Sequence, residues 1–142
     1  MKARTTGWLA LGFALTLAAP LLAHHSFAAE YGNEPVKLTG AVTKIEWQNP
    51  HVFFYIDVKD PQTDKVTNWA LEMGAPAVIQ RNGWTRNSMK IGDLVTVTGF
   101  KAKNAPHVGN ASTVTLASGK KLFAGSSAET ESPQTGTPPA PQ

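Results

Sequence analysis

The sequence predicts an all-β domain, a small OB-like barrel of five strands with one short helix between strands three and four. Three observations lead there. Apolar and polar positions alternate in five separate stretches, the period-2 pattern of a sheet with one buried face. A single stretch, opened by Pro76 and closed by Gly83, has helix punctuation, and it follows the third of those five. The chain has 142 residues, 42% of them hydrophobic and 16% charged, which suits one compact core and leaves no room for a multi-domain mechanism. Three strands, a helix and two strands is the order of the OB-type Greek-key barrel. A plain β-sandwich is the competing fold, and it leaves the helix unexplained.

The first strand covers residues 36–47. Val36, Leu38, Gly40 and Val42 share one face, and the parity then changes to Ile45 and Trp47, as a bulge or sharp bend beside a glycine would produce. Asn49-Pro50 breaks the run. In the second strand, residues 51–59, Val52, Phe54, Ile56 and Val58 alternate with Phe53, Tyr55, Asp57 and Lys59. Residues 60–65 have hairpin chemistry. The third strand, 66–73, puts Trp69, Leu71 and Met73 on one side. The helix occupies 77–82 after Pro76, and Trp84 packs it back on the strands. Gly92-Asp93 turns into the fourth strand, 94–101, where Val95 and Val97 oppose Leu94, Thr96 and Thr98. A fifth strand spans 111–116, and a short extension runs through Phe123.

The two ends read differently. Lys2 and Arg4 followed by LALGFALTLAAPLLA form a secretory signal cut after Ala23, an apolar run too short for the roughly 20 residues of a membrane span. Residues 24–35 form an N-terminal arm, 36–123 the barrel, and 124–142 a disordered tail too polar and proline-rich to offset its ordering entropy. The formal charge is +3, yet without residues 1–23 eleven basic residues face ten acidic ones, about +1. With no basic stripe, nucleic acid is excluded as a partner, because the phosphate term that supplies most affinity is missing. There is no cysteine, hence no disulfide or thiolate ligand. A periplasmic or secreted location follows from the signal, and no membrane span remains after cleavage. Asn110-Ala-Ser112 fits a glycosylation sequon, a weak three-residue match.

The runs His24-His25-Ser26-Phe27, Ile45-Glu46-Trp47-Gln48-Asn49-Pro50-His51, Glu72-Met73-Gly74-Ala75-Pro76, Gly83-Trp84 and Gly92-Asp93-Leu94-Val95-Thr96-Val97 together resemble a family of small exported bacterial proteins, the domain of unknown function 6152. The resemblance runs through Phe123 and covers nearly the whole mature domain. It implies export and a single small domain, and it leaves the function open.

Chemistry concentrates on the four histidines. A cut after Ala23 would make His24 the first residue, so that an α-amine and two imidazoles lie side by side. Amine, imidazole and one further histidine from the barrel form a planar nitrogen set that matches Cu(II), and so do the amine, a deprotonated amide and the His25 imidazole. His51, fixed by the Asn49-Pro50 turn at the barrel mouth, is the candidate third ligand. His107, in the loop before the fifth strand, could be a fourth if that loop reaches the same end. The competing readings make His24 and His25 ordinary polar residues of the arm and His51 a strand-end cap packed on Trp47. Small periplasmic copper carriers with OB-like barrels hold Cu(I) with methionine, histidine and tryptophan, and Met73, Met89, His51, Trp47 and Trp69 are similar in type, with core packing the alternative role for both methionines.

The runner-up function is an interaction module that docks on an envelope protein, or on an oligosaccharide, through Trp47, Asn49, Pro50, Phe53, Tyr55 and Trp69. Enzyme readings find little support. The chain lacks a cysteine nucleophile, a Gly-x-Ser-x-Gly elbow and a glycine-rich loop leading into a helix, and Glu46, Asp57 and Glu72 read as separate carboxylates, solvated or salt-bridged.

Overall fold

The computed structural model describes residues 27–125. The signal, His24, His25 and the tail from residue 126 lie outside the described residues. The elements in order are α1 (Phe27–Glu30), β1 (Tyr31–Glu46), β2 (Phe53–Lys59), β3 (Val66–Glu72), α2 (Pro76–Arg81), β4 (Leu94–Ala102), β5 (Val108–Thr115) and β6 (Lys121–Phe123).

β1 is long because it serves two partners. Its first part pairs with β4 through Ala41↔Leu94, and its last part pairs with β2 from Ala41↔Asp57 to Glu46↔Phe53. The chain passes from one to the other at Gly40, where a Cβ would lie 2.5 Å from the Asp57 carbonyl oxygen, so no side chain fits that approach. A register shift between Val42 and Lys44 follows, the physical form of the parity change in the sequence. It turns Val42, 1% exposed, and then Ile45 and Trp47 toward the core.

β2 and β3 form the hairpin expected from residues 60–65, where Asp60 accepts from the backbone N–H groups of Gln62 and Thr63 at 2.8 and 2.9 Å. β4 and β5 pair antiparallel, with an irregularity between Thr98 and Gly99. Parallel pairing of β3 with β5, through Ala70↔Val108, Leu71↔Gly109 and Glu72↔Asn110, closes the ring β1-β2-β3-β5-β4. This is the OB-like five-stranded barrel, and the sandwich alternative is excluded by its closure. β6 lies outside the ring as an added partner of β5.

Helix α2 packs on the barrel core through Ile79. Pro76 occupies its first turn, and Ile79 enters the core at 0% exposure. It ends in a Schellman motif: Gly83, at φ +89°, donates to Gln80 and Trp84 donates to Ile79. That geometry drives Trp84 inward to 2% exposure, where Nε1 donates to the Phe123 carbonyl at 2.8 Å.

Most boundaries differ from the sequence expectation by a residue or two, and three of the differences have a clear physical cause. β1 begins at Tyr31, five residues early: Tyr31, 5% exposed, pairs with Ala102 of β4 and Pro35 with Phe100, across an irregularity in register. β5 begins at Val108, where the parallel contact with β3 starts. Ala124, expected in the tail, is fully buried; its N–H donates to Ser112 and its carbonyl accepts from Gly74, both at 2.8 Å. A small residue in sheet register leaves no compositional trace.

Candidate functional site

The turn between β1 and β2 delivers His51 to the end of β3. The β2–β3 register puts Phe53 opposite Glu72 on the outward faces, since Phe54 and Leu71 beside them fill the core. His51, two residues before Phe53, reaches Glu72 with Nδ1 on Oε1. The other carboxylate oxygen, Oε2, accepts from the Tyr31 hydroxyl. Glu72 is thus enclosed, its side chain 13% exposed against 39% for His51. With Nδ1 committed to the carboxylate, Nε2 is the ring nitrogen on which a further bond can form.

Tyr31 ties this pair to the start of the described chain. The Phe27 ring lies 5.1 Å from the Tyr31 ring and packs edge-on to Phe100 at 6.0 Å. Lys103 holds the same segment, its N–H donating to the Glu30 carbonyl and its ammonium to the Ala28 carbonyl. Residue 26 and those before it therefore join the barrel through a segment anchored by Tyr31 to Glu72, the partner of His51.

The remaining candidates separate into three places. His107, at φ +56°, stacks edge-on against Trp69 at 5.4 Å, and its carbonyl accepts from Ala70; it is not joined to the His51–Glu72 pair. Met73 and Met89 are buried at 2% and 5%, and with Trp47 they line a small cleft beside Trp84 and Arg86. Phe53 and Tyr55 lie half-buried on the outer face of β2, while Asn49 and Pro50 are exposed in the turn. Among the described residues no three His, Cys, Asp or Glu side chains are grouped to hold an ion by themselves.

Tyr55 belongs to a charged network on that outer face. Its hydroxyl donates to Glu46 at 2.7 Å, Lys44 pairs with the same carboxylate at 2.6 Å, and the ammonium lies 5.0 Å from the Tyr55 ring centre. The bond from Lys44, and then that from Tyr55, holds the Glu46 carboxyl below the ordinary carboxylate range. The bond to Glu46 raises Lys44 in turn, and Tyr55 is raised by its own bond to Glu46 and then by burial.

Sequence reasoning missed Tyr31 and left the partner of Glu72 unnamed. Glu72 read as one of several separate carboxylates, solvated or salt-bridged, and the hairpin register counted back from 60–65 pairs it with Phe53 and so brings it near His51. For Tyr31 no sequence signal was available, because its contact spans 41 residues. The sequon is also resolved: Asn110 is 4% exposed and its Oδ1 accepts from the Phe100 N–H at 2.7 Å, so it is part of the barrel wall. Its Nδ2 has no partner among the described residues.

The closed ring, the helix packed on its core and the outward His–Glu–Tyr cluster at the end of β3 define a small OB-like barrel with a candidate ligand site. The chain belongs to a family of unknown function (DUF6152), whose model matches residues 13–111. Among solved structures, the mitochondrial single-stranded DNA binding protein Rim1 of S. cerevisiae is similar, with a TM-score of 0.47 and 10% identity, covering 61% of this chain and 93% of that one. A search of curated proteins finds no match. Among the described residues no helix is long and apolar enough to cross a membrane.

Proposed function

We propose that this protein binds copper through nitrogen ligands, with His51 supplied by the barrel and His24 and His25 by the segment ahead of Phe27. One observation carries the reading: His51 Nδ1 is held by Glu72, which Tyr31 holds in turn. Histidines that ligate metals commonly donate their other ring nitrogen to a carboxylate, which fixes the ring and raises its basicity. Reach supports it as well. Three residues span at most about 10 Å, so His24 stays within that distance of the anchored Phe27. Cleavage after Ala23 in a periplasmic or secreted setting supplies the α-amine, and the resulting planar nitrogen set favours Cu(II).

The test is titration of the mature protein with Cu(II), read by electron paramagnetic resonance after mass spectrometry has located the N-terminus. One equivalent of nitrogen-ligated copper, lost in His51→Ala and in His24→Ala, is the expected result. Copper binding indifferent to His51 overturns the reading. A second reading rests on the half-buried Phe53 and Tyr55, an aromatic outer face on which an envelope protein or an oligosaccharide could dock. Recovery of such a partner, with no uptake of copper, favours it.

A further inference from the structure

The turn that carries His51 also walls a second place with different chemistry. Met73 and Met89 line a cleft together with Trp47, Trp84 and Val52, and it reaches solvent past Thr85 and Arg86. Its free space is about that of a single water molecule, which excludes a cofactor, a sugar ring or a peptide side chain. Size therefore leaves only a small ion or a water as occupant.

Chemistry narrows the choice. No carboxylate and no histidine line the cleft, so a hard divalent cation finds none of the anionic oxygens it requires. The lining is mostly apolar, and the donors its two methionines offer are thioethers, soft ligands that select soft ions. The face of Trp47 already receives a cation, the Arg86 guanidinium, 5.5 Å from its ring centre.

We propose that this cleft is a site for one soft monovalent cation, Cu(I) or Ag(I), held by the sulfurs of Met73 and Met89 against the ring of Trp47. Arg86 is the competitor for the indole face; it is exposed, on a long stem that can swing outward as the ion enters. No histidine takes part, so the site stands or falls independently of the nitrogen-ligand reading. Thioethers do not titrate, and binding here persists at pH 5, where imidazole is largely protonated.

Silver(I), which is redox-inert, titrated into the full chain at pH 7 and pH 5 with tryptophan fluorescence as the readout, tests the proposal. One equivalent quenching at both pH values is expected. Met73→Leu and Met89→Leu, volume-conserving changes, should each weaken binding at least tenfold, while Arg86→Gln tightens it and His51→Ala leaves it unchanged. Should a methionine variant fail to fold by circular dichroism, Arg86→Gln and Trp47→Phe report from the rim of the cleft. Absence of silver binding, its loss in His51→Ala or at pH 5, or its persistence in both leucine variants overturns the proposal and leaves the methionines as core filling.

Discussion

Glu72 is the residue on which the nitrogen site turns, because both of its oxygens are committed, one to His51 and one to Tyr31. Replacing it with glutamine keeps the shape and removes the charge that orients the imidazole. Glu72→Gln is expected to weaken Cu(II) binding about 10–100-fold, the usual effect of losing such an outer partner, while circular dichroism stays that of the native barrel. Glu46 gives a separate prediction. Its carboxyl is depressed in the fold, so near that range the unfolded chain binds more protons and stability rises with pH. The stabilisation is present above the ordinary carboxylate range and is lost as pH falls through the depressed value. Acid denaturation of Glu46→Gln should lack that part of the slope and keep the part from Asp60, whose carboxyl the Thr63 and Gln62 N–H groups also lower. At this scale the sequence exposed His51 through its turn, since Asn49-Pro50 stops a strand just before it. Glu72 and Tyr31 stayed hidden because a carboxylate or a phenol acquires its role only from the neighbour it meets across the sheet.

Among the elements, β1 was legible in its main feature. Its parity change beside Gly40 announced a bend, and the bend occurs there, with the register shift after Val42. Gly40→Ala forces a methyl against the Asp57 carbonyl, and the expected loss is about 1–3 kcal/mol or more, by analogy with overpacking elsewhere; denaturant titration measures it. Helix α2 was equally legible, since Pro76 and Gly83 are residues whose backbone geometry marks a start and a stop. The early start of β1 was not. Before Val36 the register joins Tyr31 to Ala102 and Pro35 to Phe100 across an irregularity, and no local pattern marks such pairs.

For the whole molecule, strand order and helix position were enough to name the barrel, but its closure was not visible. The parallel contact of β3 with β5 is only three pairs long and joins segments separated by α2 and β4. It is set by the shape of the finished ring, not by any local pattern. The same holds for Ala124, which bridges Ser112 and Gly74 from outside the expected barrel boundary. A chain ended at Phe123 loses those two bonds and a buried methyl, and thermal unfolding should show a destabilisation of about 1–3 kcal/mol. Anchoring of Phe27 and Tyr31 on the outer wall belongs to this scale too, because it joins the segment that follows the histidine pair to the carboxylate that holds His51.

A crystal structure of the copper-loaded mature protein addresses the nitrogen-ligand account most directly. The account predicts one ion about 2 Å from His51 Nε2, with Glu72 still on Nδ1 and nitrogen from His24 or His25 completing the set. An ion bound away from His51, or coordinated through Nδ1 with the Glu72 contact broken, would contradict it.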